Sequence, residues 1–219
     1  MKLKVAIDGP AGAGKSTIAK MVGKKFNLMY INTGAMYRAV ALKAKEHDIK
    51  PDMVDSLVHM IKDLKMHFEN DDIILNGVNV QKEITMPEIS KIVSSYASIK
   101  EVRKMLVKMQ RDISEDYNVI MDGRDIGTVV LKDAEFKFFL TATPEERAKR
   151  RYNELQNRDI ECSYDKILND IKKRDLLDTT RKEDPLKKAD DAILIDSTNL
   201  DINGVVSKIS EIIKNKMNN

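Results

Sequence analysis

Four short apolar runs punctuate the chain: Leu3–Ile7, Val119–Met121, Phe136–Leu140 and Ala192–Ile195. None of them alternates with polar residues. A strand covered on both faces reads this way, because every side chain meets apolar cover. Leu28–Ile31 is a weaker fifth run. Helical patterns lie between the runs, so the class expected is α/β with a parallel sheet. Thr143-Pro144-Glu145-Glu146 is a capping box, with Thr143 at the cap and Pro144 opening a helix. Val205, Val206, Ile209, Ile212 and Ile213 recur at helical spacing and predict an amphipathic helix on the sheet. Residues Asn215 to Asn219 read as a frayed end.

One region breaks the rhythm. Met66-His67-Phe68, Ile73-Ile74-Leu75 and Val78-Asn79-Val80 are strand-like runs separated by Asn70-Asp71-Asp72 and Asn76-Gly77. Asn-Gly between apolar runs is a hairpin signal. Residues 64–85 therefore predict a small antiparallel insertion, and helical pattern returns from Pro87 to Asp116.

Composition narrows the class. A length of 219 residues suits one domain, 1–219, carrying an inserted element. Lys+Arg is 38 and Asp+Glu is 35, and a net charge of +3 is too small to mark a nucleic-acid binder. Cys162 stands alone, which excludes a disulfide framework and a Cys-rich zinc site. His47, His59 and His67 have no metal-ligand spacing. No apolar run approaches the ~20 residues that cross a bilayer. The start, Met1 to Asp8, briefly looks like a secretory signal, but Asp8 interrupts it. A cytoplasmic location follows as the expectation, with no membrane partner.

Gly9-Pro10-Ala11-Gly12-Ala13-Gly14-Lys15-Ser16 carries the strongest chemistry. It is a GxxxxGK[ST] loop with an apolar strand before it and a helical pattern (Ile18, Ala19, Val22) after it. Glycines let successive backbone N–H groups turn toward phosphate oxygens, and the following helix adds its positive end. Lys15, expected to be exposed without nucleotide, would reach the β and γ phosphates, and the Ser16 hydroxyl would ligate Mg²⁺. A regulatory GTPase also needs an Asn-Lys-x-Asp motif. The only Asn-Lys here is Asn215-Lys216, followed by Met217-Asn218. Asp122 closes the Val119–Met121 run, where a carboxylate could stand behind Mg²⁺. It reads equally as a turn Asp before Gly123.

Arginines supply the rest. Arg38 follows the second strand, and Arg147, Arg150, Arg151 and Arg158 cluster beyond the fourth. Arg174, Asp178 and Arg181 share one helical face if the helix continues. Forked guanidiniums around a phosphate loop suit a phosphoryl group in flight. The plainer reading is a solvated face with pairs such as Glu146–Arg150. Because water must be kept from the γ-phosphate, residues 150–165 are expected to form a mobile lid.

The stretch from Ile7 to Thr17 resembles the opening of the bacterial cytidylate kinases, P-loop nucleoside monophosphate kinases. So do Thr33-Gly34-Ala35-Met36-Tyr37-Arg38, Asp122 through Val130, and Arg174-Asp175. The likeness runs in order from about residue 3 to about 213. It implies the P-loop kinase fold, with five parallel strands flanked by helices in the order 2-3-1-4-5. The antiparallel β insertion would then belong to an enlarged monophosphate-binding region, about 55–100. It also implies phosphoryl transfer from ATP to CMP or dCMP with Mg²⁺.

Residue by residue, the resemblance places cytosine contacts on Ser94 (or its neighbour Ser95), Arg103 and Asp125. Ribose contacts fall on Arg174 and Asp178. Monophosphate contacts fall on Thr33, Arg38, Arg124 and Arg181. ATP contacts are expected from Gly9 through Thr17, with Arg151 and Arg158, and Mg²⁺ contacts from Ser16 and Asp122. Lys15, Arg38, Arg124, Arg174 and Arg181 are the expected catalytic cations. A carboxylate suits the exocyclic amine of cytosine and opposes the carbonyl of uracil. Other readings are a different small-metabolite kinase on this fold, and a nucleotide-switched binding module. Small-molecule substrates, no nucleic acid and a monomer are the partner expectations.

Overall fold

The computed structural model describes residues 2–217. Met1, Asn218 and Asn219 lie outside the described residues, so the readings placed on them are not addressed. In chain order the elements are β1 (Lys4–Asp8), α1 (Lys15–Phe26), β2 (Met29–Asn32), α2 (Thr33–Glu46) and α3 (Val54–Lys62). Then come β3 (Met66–Glu69), β4 (Asp72–Leu75), β5 (Val78–Asn79), α4 (Gln81–Ile84), α5 (Pro87–Ala97) and α6 (Lys100–Asp116). After β6 (Val119–Gly123) a π-turn spans Ile126–Val130, followed by β7 (Phe136–Thr141), α7 (Pro144–Gln156), α8 (Tyr164–Thr180), β8 (Ile193–Asp196) and α9 (Ile202–Met217).

The main sheet is wholly parallel, in the order β2-β6-β1-β7-β8. All five apolar runs became its strands, and β1 is central, as in the order that the resemblance implied. Val5, Ala6 and Ile7 are fully buried. Ala6 joins the core under α2 and α6, while Val5 and Ile7 join the core under α1 and α9. Alternate side chains of one strand thus serve opposite layers, which is why the run carries no polar position.

The insertion is a three-stranded antiparallel sheet, β3-β4-β5. Both of its turns have two residues at positive φ: Asn70 (49°) and Asp71 (70°), then Asn76 (51°) and Gly77 (82°). That is the geometry a two-residue hairpin needs, and Asn and Asp tolerate it. Ile73, Leu75, Val80 and Ile84 pack into the same core as α2. Three boundaries differ from expectation. The 64–85 stretch ends in the single turn of α4. The helix expected over Pro87–Asp116 breaks at Ser98-Ile99, where Ile99 is extended (ψ 122°). Asn215 to Met217 continue α9 rather than fray.

Two features aim the chemistry. The parallel strands end together at one edge, bringing Asp8 of β1 beside Asp122 and Gly123 of β6. Ligands of open α/β sheets bind at that edge. The capping box also forms, with the Thr143 hydroxyl accepting from the Glu146 N–H at 3.2 Å. Among the described residues no helix is long and apolar enough to cross a membrane.

Candidate active site

The phosphate loop fills the turn between β1 and α1. A side chain at Gly9 would put its Cβ 1.9 Å from the Leu140 carbonyl oxygen, so only glycine fits there. Gly14, at φ 86°, caps α1 without any side-chain oxygen, leaving the helix's first N–H groups for a ligand. Lys15 is only 6% exposed, contrary to the expectation that it stands in solvent without nucleotide. It folds back over the loop and donates to the Pro10 carbonyl at 2.7 Å. Burial, and then Arg124 and Arg174, push its ammonium well below the usual lysine range. Ser16 is half-buried and Thr17 exposed on the first turn of α1.

Asp122 is a hub rather than a turn residue. Its carboxylate accepts from the Ser16 hydroxyl at 2.9 Å and the Tyr30 hydroxyl at 2.7 Å. Its carbonyl accepts from Thr33 Oγ1 at 2.7 Å. One buried residue thereby ties the phosphate loop to β2 by its carboxylate and to the start of α2 by its carbonyl. Burial, and then Asp122 itself, raise the Tyr30 phenol, so it stays a donor. Asp8 accepts from the N–H groups of Ile126 and Gly127, both at 2.7 Å, and so anchors the π-turn behind Asp125. Burial pushes the Asp8 carboxyl up to about 7, against the pull of these two N–H groups.

Four cations converge on fewer carboxylates: among the described residues Asp178 is the one that forms ion pairs with them. Arg38, Arg124, Arg174 and Lys15 lie close enough to lower one another: burial and then Arg124 depress both Arg38 and Arg174. Nε of Arg38 and Nε of Arg174 are buried with no hydrogen-bond partner. Asp178 accepts from Arg124 Nε at 2.7 Å and stands 3.9 Å from Arg174. Burial opposes ionisation of Asp178, but Arg124 and Arg174 outweigh it and hold its carboxyl below the usual range. Buried guanidiniums left unpaired cost free energy unless a ligand takes them up. A phosphate group has the charge and oxygens to do so.

A second cluster lies beside the first. Arg103, 2% exposed, donates through NH2 to Asp125 Oδ2, through Nε to Asp184 Oδ2 at 2.8 Å and through NH1 to the Ala97 carbonyl at 3.1 Å. Its guanidinium lies 5.5 Å from the centre of the Tyr37 ring. Arg181 NH2 is 3.5 Å from Asp125 Oδ1, and Arg181 also donates to the Asp184 carbonyl, through Nε at 2.8 Å. Burial and then Arg103 lower its guanidinium while Asp125 and Asp178 oppose, so Arg181 stands between this cluster and the phosphate-side arginines. Burial raises the Asp125 carboxyl, with Arg103 and Arg181 opposing. Ser94 is half-buried and Ser95 exposed on α5. Ser94 shares a helical face with Ala97, to which Arg103 binds.

The arginines after β7 divide. Arg147 is buried, binds both oxygens of Asp175 (3.0 and 2.6 Å) and donates to the Ala11 carbonyl of the phosphate loop at 3.0 Å. Arg151 and Arg158 instead lie toward solvent around Glu154, at 2.7 and 4.0 Å. Arg151 still contributes to lowering Arg38.

Several of these residues had no signal in the sequence. Asp8, Tyr30 and Asp184 hold the machinery through contacts that span the chain. Asp175 lay in view within Arg174-Asp175, but nothing local pointed to Arg147 as its partner.

The comparisons with known proteins agree with this arrangement. The family model for cytidylate kinase matches residues 5–215. The cytidylate kinase of Clostridium perfringens strain 13 is 66% identical over 208 residues, covering 95% of this chain and 96% of the relative. That of Clostridium acetobutylicum is 58% identical over 217 residues, covering 99% of this chain and all of the relative. An uncharacterized protein from Eubacterium ventriosum has a similar fold, with a TM-score of 0.53 at 13% identity over 98% of this chain and 99% of that one. With the phosphate loop, the arginine cluster and the Asp125 pocket all in a chain matched almost end to end, this protein belongs to the cytidylate kinase family.

Proposed function

We propose that this protein transfers the γ-phosphoryl group of ATP to CMP or dCMP, giving ADP and CDP or dCDP. The observation that carries this reading is the buried pairing of Asp125 with Arg103 beside a group of cations that outnumbers its carboxylates. A base that offers an amine next to a ring acceptor fits Asp125 and Arg103. A phosphate attached to it would meet Arg38 and Arg124.

The residues divide the work as follows. The backbone from Gly9 to Thr17 holds the ATP phosphates at the positive end of α1. Thr33, Arg38, Arg124 and Arg181 take the monophosphate, and Arg174 with Asp178 takes the ribose. Ser94, Arg103 and Asp125 take cytosine. A CMP phosphate oxygen forms a bond to the γ-phosphorus as the bond to the bridging oxygen of ADP breaks. Lys15, Arg38, Arg124, Arg174 and Arg181 stabilise the charge spread over the transferring oxygens. Their burial strengthens that interaction, since little water competes.

Mg²⁺ fits this donor set: Ser16 Oγ and Asp122 Oδ2 lie 2.9 Å apart, both hard oxygens at the loop. Ser16 would hold the ion with Asp122 behind it, and the bound ion supplies charge neutralisation at the phosphates. No group of three or more His, Cys, Asp or Glu side chains is gathered among the described residues. Mg²⁺ commonly uses one or two protein oxygens plus phosphates.

Residues 150–165 act as a lid in this reading, bringing Arg151 and Arg158 onto ATP. The insertion at 64–85 belongs to the monophosphate-binding region, about 55–100, of the single domain 1–219. The enzyme acts in this reading as a monomer on small-molecule substrates, without nucleic acid. A lone free cysteine fits a cytoplasmic enzyme. The experiment is a coupled ADP-release assay with ATP against a panel of nucleoside monophosphates. ADP release that depends on CMP or dCMP and exceeds release with AMP or GMP is expected. Equal release with every acceptor, or with water alone, contradicts the assignment.

A further inference from the structure

We propose that Asp184 is a specificity-determining positioning residue, acting on cytosine through Arg103. The proposal rests on the CMP reading of the pocket. An arginine has five N–H donors in a rigid fork, and the favoured partner geometry for a carboxylate is two parallel bonds. Arg103 and Asp125 do not adopt it. Only NH2 of Arg103 reaches Asp125, and it reaches Oδ2 alone. Nε is held instead by Asp184 Oδ2 at 2.8 Å, and NH1 by the Ala97 carbonyl at 3.1 Å. These two contacts stop the guanidinium from turning onto both oxygens of Asp125. Oδ1 of Asp125 is left with only Arg181, at a loose 3.5 Å. An oxygen so lightly engaged is available to the amine of cytosine.

The second guanidinium leads to the same conclusion. Asp125 faces Arg103 and Arg181, and residue 184 holds both, Arg103 by its side chain and Arg181 by its carbonyl, which accepts from Nε at 2.8 Å. Its backbone is left-handed (φ 45°), a conformation Asp and Asn tolerate and glycine adopts freely. Without a side-chain acceptor at position 184, Arg103 is free to close on Asp125 in the two-bond geometry. Cytosine then loses its acceptor, while uracil, which never used it, loses little.

The test compares Asp184→Gly with Asp184→Asn. Both accept the backbone, but only Asn keeps an acceptor for Arg103 Nε. The readout is kcat and KM for CMP and UMP, with thermal stability measured in parallel. For Asp184→Gly the ratio of kcat/KM for CMP over UMP should fall by about fivefold or more. The fall should come through a higher KM for CMP, with kcat for CMP largely kept. Asp184→Asn should restore the ratio to within about twofold of wild type. An unchanged ratio in Asp184→Gly overturns the proposal, as does an equal loss for both substrates or no rescue by Asn. A wild-type protein with no preference for CMP over UMP overturns the underlying reading instead.

Discussion

The Ser16 hydroxyl donates to Asp122 at 2.9 Å, and the other oxygen of the same carboxylate is held by Tyr30 at 2.7 Å. The two residues are 106 positions apart, and their contact joins the phosphate loop to the end of β6. Tyr30 is what fixes the carboxylate's direction. Tyr30→Phe should therefore raise the Mg²⁺ concentration needed for half-maximal rate by about tenfold, the lower end of the range found for residues that orient metal ligands. KM for CMP should be unaffected. A metal titration of the initial rate checks this, and an unchanged Mg²⁺ requirement counts against the role given to Asp122.

Lys15 is buried in a field of arginines, so its removal should not destabilise the fold. Lys15→Met keeps the aliphatic volume and removes a charge that burial disfavours. The melting temperature should be equal to or above wild type, while kcat falls by about a thousandfold, the size seen when one stabilising group is removed from a transition state. A folded variant with near-normal turnover contradicts the role of Lys15. A large loss of stability contradicts the electrostatic account of its burial.

Asp8 makes stability depend on pH. Its native pKa, about 7, lies above the ordinary carboxylate value of 3.8. The unfolded chain therefore gives up this proton at lower pH than the native protein does. The stability this group contributes is fully present below about pH 4 and is lost as pH climbs through about 7. The melting temperature of wild type relative to Asp8→Asn should fall across that window and level off above it. A difference that is flat from pH 4 to 8 contradicts the burial-driven shift.

How much of this was legible follows from range. The inner strands could be read because burial on both faces is written into their apolar runs; the run at Ala192–Ile195 also became a strand, but at the sheet edge, where Ile193 and Leu194 are exposed rather than covered on both faces. The hairpins could be read because Asn76-Gly77 is a local turn signal. The break at Ser98-Ile99 has no glycine or proline to mark it. At the site, the phosphate loop is local and was plain. Asp184 meets Arg103 across 81 residues, and no spacing rule reaches that far. Lys15 was expected in solvent because the arginines that surround it, Arg124 and Arg174, come from other elements, although the Pro10 carbonyl it binds lies in its own loop. The contact of Arg181 with Asp125, beside its assignment to the phosphate, was not legible, because Arg181 reaches back across 56 residues.

The lid should show itself by exchange. Between α7 and α8 the chain runs as turn and coil, with Asp159 left-handed (φ 54°) and nearly every residue exposed or half-buried. Amides over 157–163 should exchange faster than those of β1 and slow when a non-hydrolysable ATP analogue is added. The Arg147–Asp175 pair at the base of the lid should stay protected throughout. Equal exchange with and without the analogue removes the lid from the account.

The central claim is that the buried Asp125 carboxylate reads the amine of cytosine. Its most direct test is the ratio of kcat/KM for CMP over UMP, in wild type and in Asp125→Asn. The amide can turn its NH₂ toward the carbonyl of uracil, which removes the repulsion and weakens the hold on cytosine. The ratio is predicted to fall by about tenfold or more, roughly 1.4 kcal/mol, with UMP losing less than CMP. An unchanged ratio, with both substrates impaired alike, would mean that Asp125 only holds Arg103 and Arg181 in place and would contradict the claim.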